Sequence, residues 1–246
     1  MRVDLLQRFA ILVGPPRSAV PVFDAAMVFA AALQDGDVWP EARLAQRELE
    51  LAVVDHCASR EGEAAIVEGV LEFMRWSRFR GNIRDYEDPR NSLMDRVLER
   101  RLGLPITLCA LATHLAERCG VELHGIGFPG HFLVGLQLEQ EGVEPLIWDP
   151  FRDGRRLHLD ELAALFTSVV GRQVEADSEV LLDHLRPCHS RLILTRMLEN
   201  LRRHYGLAHE RERVVDTLEL LATLHPDVAQ IREMLDEHPR QHHLLN

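Results

Sequence analysis

Positive charge is the first thing this chain is short of. Its 28 basic residues face 39 acids, a net charge of −11. A nucleic-acid surface needs basic patches to neutralise phosphates, and an anionic membrane attracts the same patches. Neither partner fits an acidic chain, although acidity by itself names no partner and also serves solubility. Cysteine is scarce as well. Cys57, Cys109, Cys119 and Cys188 form no CxxC pair or tight cluster. Three of them fall inside helical apolar patterns, where a free thiol acts as a small hydrophobe, so a reducing, cytoplasmic setting is expected. The longest clean apolar run, Ala25 to Leu33, is far shorter than the roughly 20 residues a membrane helix needs. MRVDLLQRFA has no signal-peptide core. HExxH and comparable metal-ligand clusters are missing, and the 13 histidines stand singly except His242 and His243. No metal or cofactor is expected.

What remains is an ordinary globular composition, 46% hydrophobic and 27% charged, in 246 residues. That length holds one main core or a core with an appendage. Pro15 and Pro16 stop a short amphipathic opening. The Ala-rich run from Val22 to Leu33 then reads as a buried helix, with Asp24 available as its cap. Trp39-Pro40 begins another, with Leu44, Leu49, Val53 and Val54 at helical spacing. A third spans Glu63 to Phe79, ended by Gly81-Asn82, before the polar loop RDYEDPRN. Asn91 or Ser92 is placed to cap a helix running to Arg101, with Gly103 suited to the position just past its end. Pro105 suits the first turn of the next helix, which is apolar on nearly every face through Cys119 and should be central.

Beyond it, Val121 to Gly127, Phe132 to Leu138 and Leu146 to Asp149 read as strands. EQEGVE forms a hairpin tip and Asp153-Gly154 a turn. A helix from Asp160 to Val170 and a linker from Gly171 to Asp183 follow. Residues Leu192 to Tyr205 and Glu212 to Leu224 then make a helical hairpin, with Pro226 opening a third helix and a tail, QHHLLN, short enough to fray. The fold class expected is α+β: a helical N-terminal half, a small antiparallel sheet and a helical C-terminal appendage. The boundary is placed between residues 175 and 176.

The phrases NSLMDRVLERRLGLPITL, GFPGHFLVG and WDPFRDG, with RLILTRMLENLRRHYG downstream, resemble the transglutaminase-like superfamily. The likeness is closer to its bacterial YchA-type (SirB-like) branch, in which that domain precedes tetratricopeptide-like helices. The resemblance covers roughly residues 20 to 225 and implies a papain-like core. It also implies a regulatory or accessory role, without naming the partner; a protein or peptide partner is expected from the C-terminal helical surface. Catalytic members of the wider superfamily carry a nucleophilic cysteine at the start of the central helix. That place falls at Pro105 to Thr107 here, and no cysteine stands there.

A helix start, a histidine on one strand and an aspartate on its neighbour can converge as a Cys-His-Asp acyl-transfer site. His131 resembles the general base, against the plainer reading of a hydrogen-bonded structural histidine. Asp149 would fix its tautomer, or instead close an Asp-Pro turn. Cys109, one turn inside the central helix, and Thr107, nearer its start, are the candidate nucleophiles; the depth of Cys109 argues for a raised thiol pKa. Arg101 and Arg100 are placed to line the crevice and hold a carboxylate or carbonyl, or else to pair with Asp95, Glu99 or another acid. Asn91 orders the entry loop. Tyr86 and Trp148 stand as substrate walls or core aromatics. Arg191, Arg196, Asn200, Arg202 and Arg203 make a basic helical face suited to a peptide or to the chain's own acids. Two functions follow: a binding module lacking its nucleophile, or a cysteine-type amide hydrolase or transglutaminase using Cys109, His131 and Asp149.

Overall fold

A computed structural model describes residues 2–15, 18–35, 37–136 and 144–237. The expected hairpin tip and the C-terminal tail QHHLLN fall mostly or wholly outside them. The N-terminal half is helical: α1 (Val3–Val13), α2 (Val22–Ala32), α3 (Trp39–Cys57) and α4 (Glu63–Trp76). Helix α2 is alanine-rich and buried on almost every face, which lets its neighbours approach closely. Its cap position is Pro21, not Asp24, whose carboxylate instead reaches Arg43 across to α3. On α3, Leu49 and Val53 enter the core while Leu44 and Val54 face solvent. Helix α4 closes before Arg78 turns left-handed at φ 64°, so it ends short of Phe79.

Strands β1 (Arg80–Gly81) and β2 (Leu102–Gly103) form a two-residue parallel ladder around helix α5 (Met94–Arg100), which the sequence does not announce. The residue past α5 that adopts the left-handed turn is Arg101, at φ 60°, not Gly103. Gly103 is needed for another reason: a Cβ there would come within 2.8 Å of the Thr107 hydroxyl. Neither Asn91 nor Ser92 caps α5, whose cap position is Leu93. Asn91 ends a short 3-10 turn (Pro89–Asn91) held by the Asp88 carboxylate.

The central helix α6 (Pro105–Arg118) is enclosed as expected. It packs against a four-stranded antiparallel sheet in sequential order: β3 (His124–Ile126), β4 (Leu133–Leu136), β5 (Leu146–Asp149) and β6 (Arg155–Leu157). Strand β3 is shorter than the expected Val121–Gly127, and β4 begins two residues after His131. Strand β6 follows the Asp153-Gly154 turn, where both residues have positive φ. One face of the sheet meets α6 through Val134, Leu136 and Trp148; the other, through Ile126, Leu133 and Ile147, is covered by α7 (Leu159–Val170) and α8 (Glu179–Asp183).

Helices α9 (Ser190–Leu207) and α10 (Arg211–Leu224) pair as a hairpin, followed by α11 (Ala229–Asp236). Leu194, Met197, Leu198, Leu220 and Leu221 join the same apolar core as Phe9 and Phe29. The buried Arg191 fastens the two ends of the chain. It donates to the Leu224 carbonyl at 2.7 Å and the Gly14 carbonyl at 3.1 Å, and also to the carbonyls of Val13 and Pro15. Among the described residues no helix is long and apolar enough to cross a membrane.

Candidate functional site

The start of α6 is built by Thr107. Its hydroxyl accepts from the Leu104 amide at 2.8 Å and faces the Asn91 carbonyl at 2.9 Å and the Leu104 carbonyl at 3.0 Å. Pro105 sits in the first turn, where no amide hydrogen is missed. Thr107 is fully buried, so this hydroxyl is committed to starting the helix and has no surface to offer a substrate.

His131 is aimed by the turn before β4. Its amide donates to the Phe128 carbonyl at 3.0 Å, with Pro129 and Gly130 at the two turn positions and Gly130 at φ 66°. Proline followed by glycine is what a type II turn takes, because only its second central residue needs positive φ. The register Val134↔Trp148 puts Leu133 opposite Asp149, with His131 two residues upstream of that strand. The imidazole Nε2 then lies 2.7 Å from Asp149 Oδ2. A carboxylate only accepts, so the Nε2 proton is the one donated, and Nδ1 has no partner among the described residues.

Asp149 is 2% exposed and its two oxygens divide the work. Oδ2 takes the imidazole, while Oδ1 accepts the amides of Phe151 and Arg152 at 3.0 and 3.2 Å, closing the 3-10 turn Pro150–Arg152. The pairing with histidine and the Asp-Pro turn therefore coexist. That turn projects Phe151, whose ring meets His131 edge-on at 6.0 Å and Tyr86 at 6.3 Å. The ring also lies over Gly81, where a Cβ would be 2.4 Å from it. Phe151 is the site residue that sequence reasoning passed over. Its only sequence signal is its place directly after Asp149-Pro150.

Cys109 is fully enclosed. Its Sγ donates to the Phe132 carbonyl at 3.4 Å, not to the imidazole. Burial, and then the nearby Asp149 charge, push this thiol well above the ordinary cysteine range. Burial and the neighbouring Cys57 thiol push Cys119 up to about 12, and Cys57 and Cys188 are also raised by burial.

Of the two candidate arginines, Arg100 pairs with Asp88 at 2.8 Å. Arg101 lies over the Phe79 ring at 4.5 Å with no acid partner among the described residues. Trp148 is a core aromatic, while Tyr86 is 44% exposed beside Phe151. Asn91 orders the loop carrying Tyr86 by donating to the carbonyls of Asp85 at 2.7 Å and Tyr86 at 3.3 Å. No group of three or more His, Cys, Asp or Glu fit to hold a metal occurs among the described residues.

Among curated proteins, a UPF0162 protein of Xylella fastidiosa is 38% identical over 149 residues, 61% of this chain and 52% of that one. A UPF0162 protein of Pseudomonas aeruginosa is 30% identical over 169 residues, 68% of this chain and 59% of that one. F-box only protein 21 of Homo sapiens is 30% identical over 162 residues, 63% of this chain but 24% of the longer protein. The chain thus spans about half the length of the bacterial relatives it matches. No solved structure matches. Residues 42–199, which run from α3 through the dyad into α9, match the family described as the transglutaminase-like superfamily, and this chain belongs to that superfamily.

Proposed function

We propose that this protein is a transglutaminase-like domain without a working nucleophile, serving as a binding module for a protein or peptide in a regulatory or accessory role. The reading rests on one observation: Cys109, the sulfur beside the dyad, is sealed one turn inside α6 and held by the Phe132 carbonyl. A nucleophilic cysteine must ionise and meet its substrate. A first-turn cysteine would gain from unpaired amides and the helix dipole; Cys109 lies beyond both and beside the carboxylate of Asp149. The place a nucleophile would occupy holds Pro105, Ile106 and Thr107, and the threonine hydroxyl is spent on the helix start.

The His131–Asp149 pair then acts as a fixed polar feature beside Phe151, with Nδ1 left to bond a bound chain. The tetratricopeptide-like hairpin of α9 and α10 supplies further surface. A match that covers only a quarter of F-box only protein 21 fits a domain that works as one part of larger proteins.

Iodoacetamide labelling of the native, reduced protein at neutral pH, followed by mass spectrometry, tests the reading. Cys109 should label no faster than Cys57 and more slowly than the half-buried Cys188. Labelling of Cys109 about tenfold faster than Cys188, lost in His131→Ala, would restore the cysteine-type amidase or transglutaminase.

A further inference from the structure

Every cation of this chain is an arginine, since the sequence contains no lysine. On α9 most of them are engaged. Arg191 is buried among backbone carbonyls, Arg202 pairs with Glu199 at 2.7 Å, and Arg203 pairs with Glu87 at 2.9 Å. Arg196 differs. Its guanidinium lies over the Phe132 ring at 5.2 Å, with no acid and no side-chain hydrogen bond among the described residues. The backbone of Gly127 leaves room for it: a Cβ there would sit 3.1 Å from Nη1. A guanidinium set on an aromatic face is fixed in orientation, weakly hydrated and ready to take a carboxylate through two parallel bonds.

Its surroundings lead to the dyad. Asn200, one turn along α9, has an amide without a partner among the described residues, as has the Tyr86 hydroxyl. Tyr86 is brought to the same helix by its neighbour Glu87, which pairs with Arg203, two turns along α9 from Arg196. Tyr86 also meets Phe151, and Phe151 meets His131. The fully buried Asn91 holds two carbonyls of the loop that carries Tyr86, and the Arg203–Glu87 pair bridges that loop to α9. An uncommitted cation, an amide and a hydroxyl therefore flank an aromatic path ending at the imidazole.

We infer that Arg196, with Tyr86 and Asn200, forms a carboxylate-binding subsite beside His131, and that the bound chain is an acidic peptide segment presenting an Asp or Glu side chain there. This rests on the binding reading given above and names its ligand class. The chain's net charge of −11 repels an acidic peptide at long range, so the selectivity must be local. Neutral peptides would then lose the guanidinium pairing and strand its desolvated charge.

The test uses two fluorescein-labelled octapeptides, one rich in glutamate and the other with glutamine at each of those positions, titrated against the full chain by fluorescence anisotropy. Wild type should bind the glutamate peptide at least about tenfold more tightly, the range of one charge-assisted pair. Arg196→Gln should abolish that preference, Arg196→Lys should keep part of it, and Tyr86→Phe should weaken it; unchanged melting temperatures would show each variant folded. Equal binding of both peptides by wild type, or a preference intact in a folded Arg196→Gln, overturns the subsite while leaving the binding module. Binding of neither peptide overturns the subsite, and unaltered labelling of Cys109 would then leave the loss of the nucleophile untouched.

Discussion

Replacing Asp149 separately by alanine and by asparagine resolves the two tasks its carboxylate performs. Alanine removes the acceptor for His131 Nε2 at 2.7 Å and for the amides of Phe151 and Arg152 at 3.0 and 3.2 Å, at a position 2% exposed. A bond to a charged group contributes about 1.5–3 kcal/mol and a capping oxygen about 1 kcal/mol, so the loss should be about 3 kcal/mol. Asparagine keeps one acceptor oxygen for the turn but presents its NH2 to the imidazole. The ring must then move its proton from Nε2 to Nδ1 to accept it. The cost of asparagine should therefore be about 1 kcal/mol less than that of alanine, the worth of the retained cap. Urea denaturation measures the difference, and long-range 1H–15N spectra of the imidazole report the tautomer: Nε2–H in wild type, Nδ1–H in Asp149→Asn. A loss below about 1 kcal/mol for alanine, or a wild-type ring protonated on Nδ1 with Nε2 bare, would show that this contact holds neither turn nor ring.

Other expectations follow from the same geometry. Arg191→Met removes the donor to the Leu224 and Gly14 carbonyls and one of the donors to those of Val13 and Pro15, which Ser18 also reaches; it should cost about 2–4 kcal/mol, lowering Tm by about 4–16 °C, and calorimetry measures it. Gly81→Ala drives a methyl into the Phe151 ring, so a cost of about 1–3 kcal/mol should come with shifted His131 ring resonances. His204 is held below the ordinary histidine pKa by burial first and by Arg203 next. The unfolded chain therefore takes up a proton near pH 6.5 that the folded chain refuses, and stability falls as pH drops through that value. His225, also lowered by burial, acts in the same sense. Urea midpoints between pH 7.5 and 5.5 should fall less steeply in His204→Gln, and an identical slope would refute the assignment.

How much could be read from the residues depended on where each determinant lies. Helix α6 was legible because Pro105 and an all-round apolar pattern mark it locally, and β5 because LIWD ends at Asp-Pro. The meeting of His131 with Asp149 followed from strand order, since their joints fall at the same edge of a hairpin. Strand β6 escaped because Arg155 and Arg156 are exposed and carry no apolar pattern. Glycine preference pointed the left-handed turn to Gly103. The chain instead places Arg101 there and keeps the glycine for its close approach to Thr107. The floor of the site was hidden for a similar reason: Phe151 finds its seat on Gly81, seventy residues upstream, through a ladder only two residues long.

The clasp made by Arg191 has a consequence for biosynthesis. Its acceptor at Gly14 precedes it by 177 residues. On a ribosome adding roughly 5–20 residues per second, the N-terminal turn waits some 10–35 s for the arginine that will hold it. Helices α1 and α2 can pair early and Ser18 can reach the carbonyls of Val13 and Pro15, but the Gly14 carbonyl stays hydrated until α9 emerges. A nascent chain arrested before residue 191 should therefore be cut by proteases just after α1, and release of the finished polypeptide should close that window.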